Sequence, residues 1–163
     1  ADPEVYGEDT TTFPLIEATL RGFLELVEAL LLHDASLFHT DVTKNTALHW
    51  VIATCHWNCL MNLLNYGSPL ETANYRLRTP LMQAAFYDHE KIARCLTDHG
   101  AKVDQPLNGA EVNRYEDGIE ALIFATISGG NLDILKLLIA YHANIEERNK
   151  VGYTPLMTAA HDY

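Results

Sequence analysis

A four-residue pattern returns along this 163-residue chain at near-constant intervals. The copies are Phe13-Pro14-Leu15-Ile16, Thr46-Ala47-Leu48-His49, Thr79-Pro80-Leu81-Met82 and Thr154-Pro155-Leu156-Met157, with a degenerate version at Glu120-Ala121-Leu122-Ile123. Their first residues lie 33, 33, 41 and 34 positions apart. A period in this range makes each copy one supersecondary unit and the chain a stack of such units. Stability then comes from repeat and interface contributions, and neither a single globular core nor a second domain is required.

Each tetrad reads as a helix start. Threonine at its first position can cap the helix that follows, and proline in the first turn has φ already set and no donor to lose. Apolar residues then recur at helical spacing: in the third copy Leu81, Ala84 and Ala85, followed by Ile92, Cys95 and Leu96. Second apolar runs, from Leu24 to Leu32 and from Leu132 to Ile139, close on turns at Asp34-Ala35 and His142-Ala143; Gly67-Ser68 and Gly100-Ala101 are the equivalent turns between them. Two helices this short expose too much apolar surface alone, and stacking neighbours buries it.

These residues resemble the ankyrin repeat, a 33-residue unit of a β-turn and two antiparallel helices with a Thr-Pro-Leu-His-x-Ala signature. The resemblance runs over residues 10 to 163. It implies an all-α solenoid of four complete helix-turn-helix repeats and a partial fifth, at about 8–40, 41–73, 74–106, 115–148 and 149–163, linked by β-turn fingers. Residues 1–12 form an acidic N-terminal segment that lacks the features of a secretory signal; Ala1-Asp2-Pro3 could be an expression remnant. The 41-residue interval places an eight-residue insertion at 107–114, carrying the turn-forming Asn108-Gly109. An elongated finger and a plain excursion loop are both open there. The fifth repeat has a first helix and no second, so the native protein is expected to continue past Tyr163, with Leu156 and Ala160 packing back on the fourth repeat.

Departures from the pattern carry their own expectations. Asp34 and His142 replace a turn glycine and are residue types that tolerate a left-handed backbone. Asn62 takes a leucine position, where it either loosens the repeat or makes a buried side-chain bond. Trp50 and Trp57 are expected in the core.

Catalytic patterns are missing from the sequence. Zinc could in principle draw on Cys55, Cys59, His49 and His56. The resemblance instead gives the two histidines structural roles, with rings hydrogen-bonded within and between repeats, and leaves Cys55, Cys59 and Cys95 as buried free thiols. Free thiols point to a reducing, intracellular location, cytoplasmic or nuclear. There is no glycine-rich phosphate loop, and the paired carboxylates Glu116-Asp117 and Glu146-Glu147 fall in turns. The expectation is a non-catalytic protein without cofactor or metal.

Net charge is −11, distributed as −7 over residues 1–40, 0 over 41–106 and −4 over 107–163. Duplex nucleic acid needs a basic face and is excluded as an expected partner. A protein or peptide of basic or mixed charge fits better, with no membrane insertion. In proteins of this family the finger tips and first-helix ends line a concave binding face. Carried onto this chain, that implies Tyr75, Arg76 and Arg78 in the third finger, Phe86 and Tyr87 at its helix end, and Asn108, Arg114 and Tyr115 in the insertion. Arginine and aromatic residues are those most enriched at binding hot spots. The competing reading packs Phe86 and Tyr87 against neighbouring helix ends and pairs Arg76 and Arg78 with Glu116 or Asp117. Two other functions stay open: a receptor for a small nucleotide-like ligand, which needs several cations around a stacking ring, and a structural tether on a channel or enzyme.

Overall fold

Helices begin where the tetrads predict. The computed structural model describes residues 13–104, 132–146, 148 and 151–161. The first repeat consists of α1 (Pro14–Arg21) and α2 (Leu24–Leu32), the second of α3 (Ala47–Thr54) and α4 (Trp57–Asn65), and the third of α5 (Pro80–Phe86) and α6 (Glu90–Asp98). Beyond them lie α7 (Leu132–Ala140) and α8 (Pro155–His161). No strand occurs among the described residues. The insertion 107–114 and the degenerate tetrad at 120–123 lie outside them.

Capping follows the side chains available. Thr79 Oγ1 accepts the Met82 N–H at 3.3 Å, and Thr154 Oγ1 accepts that of Met157 at 3.3 Å. Thr46 forms a capping box with His49, whose Nδ1 accepts the Thr46 N–H at 3.2 Å. Phe13 has no oxygen to offer, and there Pro14 at the first helical position simply lacks a donor.

The first helices form an inner row, α1 against α3 and α3 against α5; in the outer row α2 meets α4 and α6 meets α7. Equivalent residues 33 positions apart are buried together: Leu15, Leu48 and Leu81, then Ala18, Val51 and Ala84, then Val27, Leu60 and Ala93. Each turn of the stack thus repeats one apolar layer, as a nearest-neighbour architecture requires.

Several side chains differ from expectation. Trp57 is 44% exposed, because it opens α4 on its outer side, whereas Trp50 packs on the core and donates its indole N–H to Asp41 Oδ2 at 2.7 Å. Cys55 is exposed and Cys95 half-buried; only Cys59 is a core thiol. Asn62 makes no buried bond: its amide reaches the exposed Glu28 carboxylate at 3.1 Å, tying α4 to α2. His49 bonds within and between repeats as expected, but the His56 ring lies against the backbone of Gly22. Leu156 is 78% exposed and Ala160 is exposed too, so α8 is anchored instead through Thr154, Pro155 and Thr158.

Candidate protein-binding face

Finger geometry is set by one polar residue at its base. In the second finger Asp41 Oδ1 accepts the N–H groups of Thr43 and Asn45 at 2.8 and 2.9 Å, and the Thr43 hydroxyl at 2.6 Å. Burial pushes the Asp41 carboxyl up, but these bonds and that of Trp50 outweigh it and hold its pKa below the ordinary value. In the third finger Asn74 stands 33 residues on and does the same work. Its Oδ1 accepts the N–H groups of Arg76 and Arg78 at 2.9 and 3.1 Å; its amide donates to Asn45 at 2.8 Å and Gln83 at 3.1 Å. Gln83 in turn donates to the His49 carbonyl at 2.8 Å. The two fingers are joined by the Tyr75 N–H on the Thr43 carbonyl at 3.0 Å.

On this frame Tyr75 and Arg76 face solvent, Tyr75 at 55% exposure with Lys44 Nζ 5.0 Å from its ring centroid. Arg78 does not. It is 4% exposed, with its guanidinium 3.6 Å from the centroid of the Phe86 ring, so it braces Phe86 from within and offers a partner almost no surface. Its carbonyl also accepts the His49 Nε2–H at 3.0 Å. A desolvated cation on an aromatic face contributes about 2 kcal/mol. Phe86 is half-buried against the core, and Tyr87, 43% exposed, meets it edge to face with centroids 5.3 Å apart. Tyr87 also stacks on His89 at 5.9 Å. Among the sequence-predicted residues the structure therefore brings Arg78, Phe86 and Tyr87 into one contact chain at the inner helix end, with Tyr75 and Arg76 on the adjacent finger. Asn108, Arg114, Tyr115, and the acids Glu116 and Asp117, lie outside the described residues.

Sequence reading missed the Asp41–Trp50 and Asn74–Gln83 pairs. Both span nine residues and lie one repeat apart, so aligning the copies would have exposed them. Among the described residues no group of three or more His, Cys, Asp or Glu could hold a metal ion, and no helix is long and apolar enough to cross a membrane.

The sequence pattern described as "Ankyrin repeats (3 copies)" matches residues 15–107 and 105–163. A probable E3 ubiquitin-protein ligase XBOS32 of Oryza sativa subsp. japonica is 31% identical over 128 residues, 77% of this chain and 24% of its own length. The protein fem-1 homolog A-like of Mus musculus is 33% identical over 102 residues, 63% of this chain and 14% of its own. Ankyrin repeat and SOCS box protein 11 of Homo sapiens is 30% identical over 90 residues, 55% of this chain and 28% of its own. The chain spans less than a third of the length of each of these relatives. With its helix pairs, capped tetrads and 33-residue layers, the chain belongs to the ankyrin-repeat family.

Proposed function

We propose that this chain is a non-catalytic protein-interaction domain of a longer scaffold, adaptor or regulatory protein. It grips a partner protein or peptide through its concave face. The observation that carries this reading is the mid-stack cluster: solvent-facing Tyr75, Arg76 and Tyr87 held on a frame of buried hydrogen bonds, with Phe86 fixed between Arg78 and Tyr87. Rigid aromatic anchors beside an arginine are the composition of a hot spot. Asn108, Arg114 and Tyr115 are counted among the partner-contacting residues in this reading. Relatives named for a ubiquitin ligase and a SOCS box support a domain that presents partners to machinery carried elsewhere on the same polypeptide. The nucleotide-receptor alternative is weaker, since Arg78 is committed beneath Phe86. The test is a pull-down with the wild-type chain against Tyr87→Ala and Arg76→Ala, read by mass spectrometry. Proteins retained by the wild type and lost from both variants support the reading; identical recoveries contradict it.

A further inference from the structure

Cys55 and His89 meet across two successive inter-helix turns. Cys55 closes α3 with a left-handed backbone, φ 58°, and its side chain is exposed. His89 is the residue before α6, and its Nε2 lies 3.0 Å from Cys55 Sγ. Tyr87 stacks along the imidazole with planes inclined by 24°. Burial pushes His89 below the ordinary histidine value against the opposing pull of Asp88, so near neutral pH its ring is uncharged and able to accept a proton. The other two thiols have no such base. Cys59 is buried, and Cys95 Sγ lies 3.7 Å from Met61 Sδ and 3.8 Å from His99 Nδ1, a nitrogen that is itself 2.7 Å from the Cys95 carbonyl. Burial first, then nearby carboxylates, raises the pKa of both: Glu25 and Glu28 for Cys59, Asp98 for Cys95.

We propose that Cys55 is a modification site for low-molecular-weight disulfides of the glutathione-disulfide class, with His89 as its base. Sγ–H gives its proton to His89 Nε2, and the thiolate attacks one sulfur of the disulfide. The reagent's S–S bond breaks as the Cys55 S–S bond forms, and the departing thiolate takes the proton back from the imidazolium. One disulfide is consumed and one is made, so no further oxidant is needed. A mixed disulfide with the incoming group is the expected product because the remaining cysteines are buried or half-covered. The inference is independent of the partner-binding reading.

Glutathione disulfide itself is the probe, with the site followed by intact mass and peptide mapping. At neutral pH Cys55 in the folded protein is expected to react about tenfold faster than Cys59 or Cys95, and about tenfold faster than Cys55 in the urea-unfolded chain. Exposure alone cannot make a folded thiol outpace an unfolded one. His89→Gln should remove that advantage while leaving the Cys95 rate unchanged. Equal or slower reaction of Cys55 in the folded state overturns the proposal, and this comparison decides the matter even if His89→Gln fails to fold.

Discussion

Left-handed backbone positions recur at fixed places among the described residues of the repeats. The inter-helix turn has Gly22, Cys55 and Asp88; the finger tip has Lys44, Leu77 and Gly152; the close of the second helix has Asp34, Gly67, Gly100 and His142. Glycine occupies this region freely, and Asp, Asn and His more readily than other types, which incur a penalty of about 1–2 kcal/mol. Leu77, at φ 55°, is the residue type least suited to it. Leu77→Gly is therefore expected to stabilise by about 0.5–1 kcal/mol, the strain relief exceeding the loss of a half-buried side chain; chemical denaturation measures this, and a lowered midpoint would refute it. Gly22 behaves oppositely. At φ 70° an added Cβ would sit 2.6 Å from the His56 ring, so Gly22→Ala should cost about 2 kcal/mol or more in the same assay.

A buried histidine adds a pH dependence at the same scale. His49 is fully buried, and burial lowers its pKa despite the bond to the Arg78 carbonyl and the charge of Asp41. A histidine in the unfolded chain titrates at about 6.5. Below that value the unfolded state binds the proton more readily than the folded one, so this contribution is complete above about pH 6.5 and is lost as pH falls. The stability gap between wild type and His49→Gln should narrow on acidification, His89 being common to both proteins. A gap unchanged between about pH 7.5 and 5 would contradict the assignment.

At the level of elements, the helices were legible in the sequence because the first of each pair carries a start signal and both carry an apolar period, and the left-handed turns at Asp34 and His142 follow from residue type. What the tetrads do not encode is how one repeat sits on the next. Four side-chain bonds that start from the helices and inter-helix turns fall at an offset of 34, one more than the period: Glu28 with Asn62, His49 with Gln83, Cys55 with His89, Met61 with Cys95, whereas three that reach the fingers span 29 or 31. That shift is a property of the stack. It explains why the Cys55–His89 pair went unseen. The fingers depend on Asp41 and Asn74 in the same way, since each satisfies backbone donors that a turn leaves unpaired. Asn74→Ala strands the Arg78 N–H in a buried position and removes the links to Asn45 and Gln83, which should cost about 2–3 kcal/mol by denaturation. A change below about 0.5 kcal/mol would show that the finger holds its shape without it.

Across the whole molecule a recurring contact joins the repeats, a backbone N–H on a carboxylate of the preceding repeat. Glu71 accepts the Lys102 N–H at 2.9 Å, and Asp104, 33 residues further on, accepts that of Asn144 at 3.1 Å. The donors are 42 residues apart and the acceptors 33, so the same kind of bond links repeats before the long interval and across it. The candidate face was only partly legible for a related reason. The family resemblance, carried onto this chain, pointed to Tyr75, Arg76, Arg78, Phe86 and Tyr87, but which of the finger residues turns outward depends on the Asn74 frame, and Arg78 turns inward. Phe86→Ala would strip Arg78 of its stacking partner and so confound affinity with stability. Tyr87 is the cleaner probe of the central claim, that the concave face binds a protein. The decisive measurement is the affinity of Tyr87→Ala for a captured partner by calorimetry, alongside its melting temperature. We predict binding weakened by about 1–3 kcal/mol with the melting temperature nearly unchanged; an unaltered affinity with a large drop in melting temperature would show that Tyr87 serves the fold and not the interface.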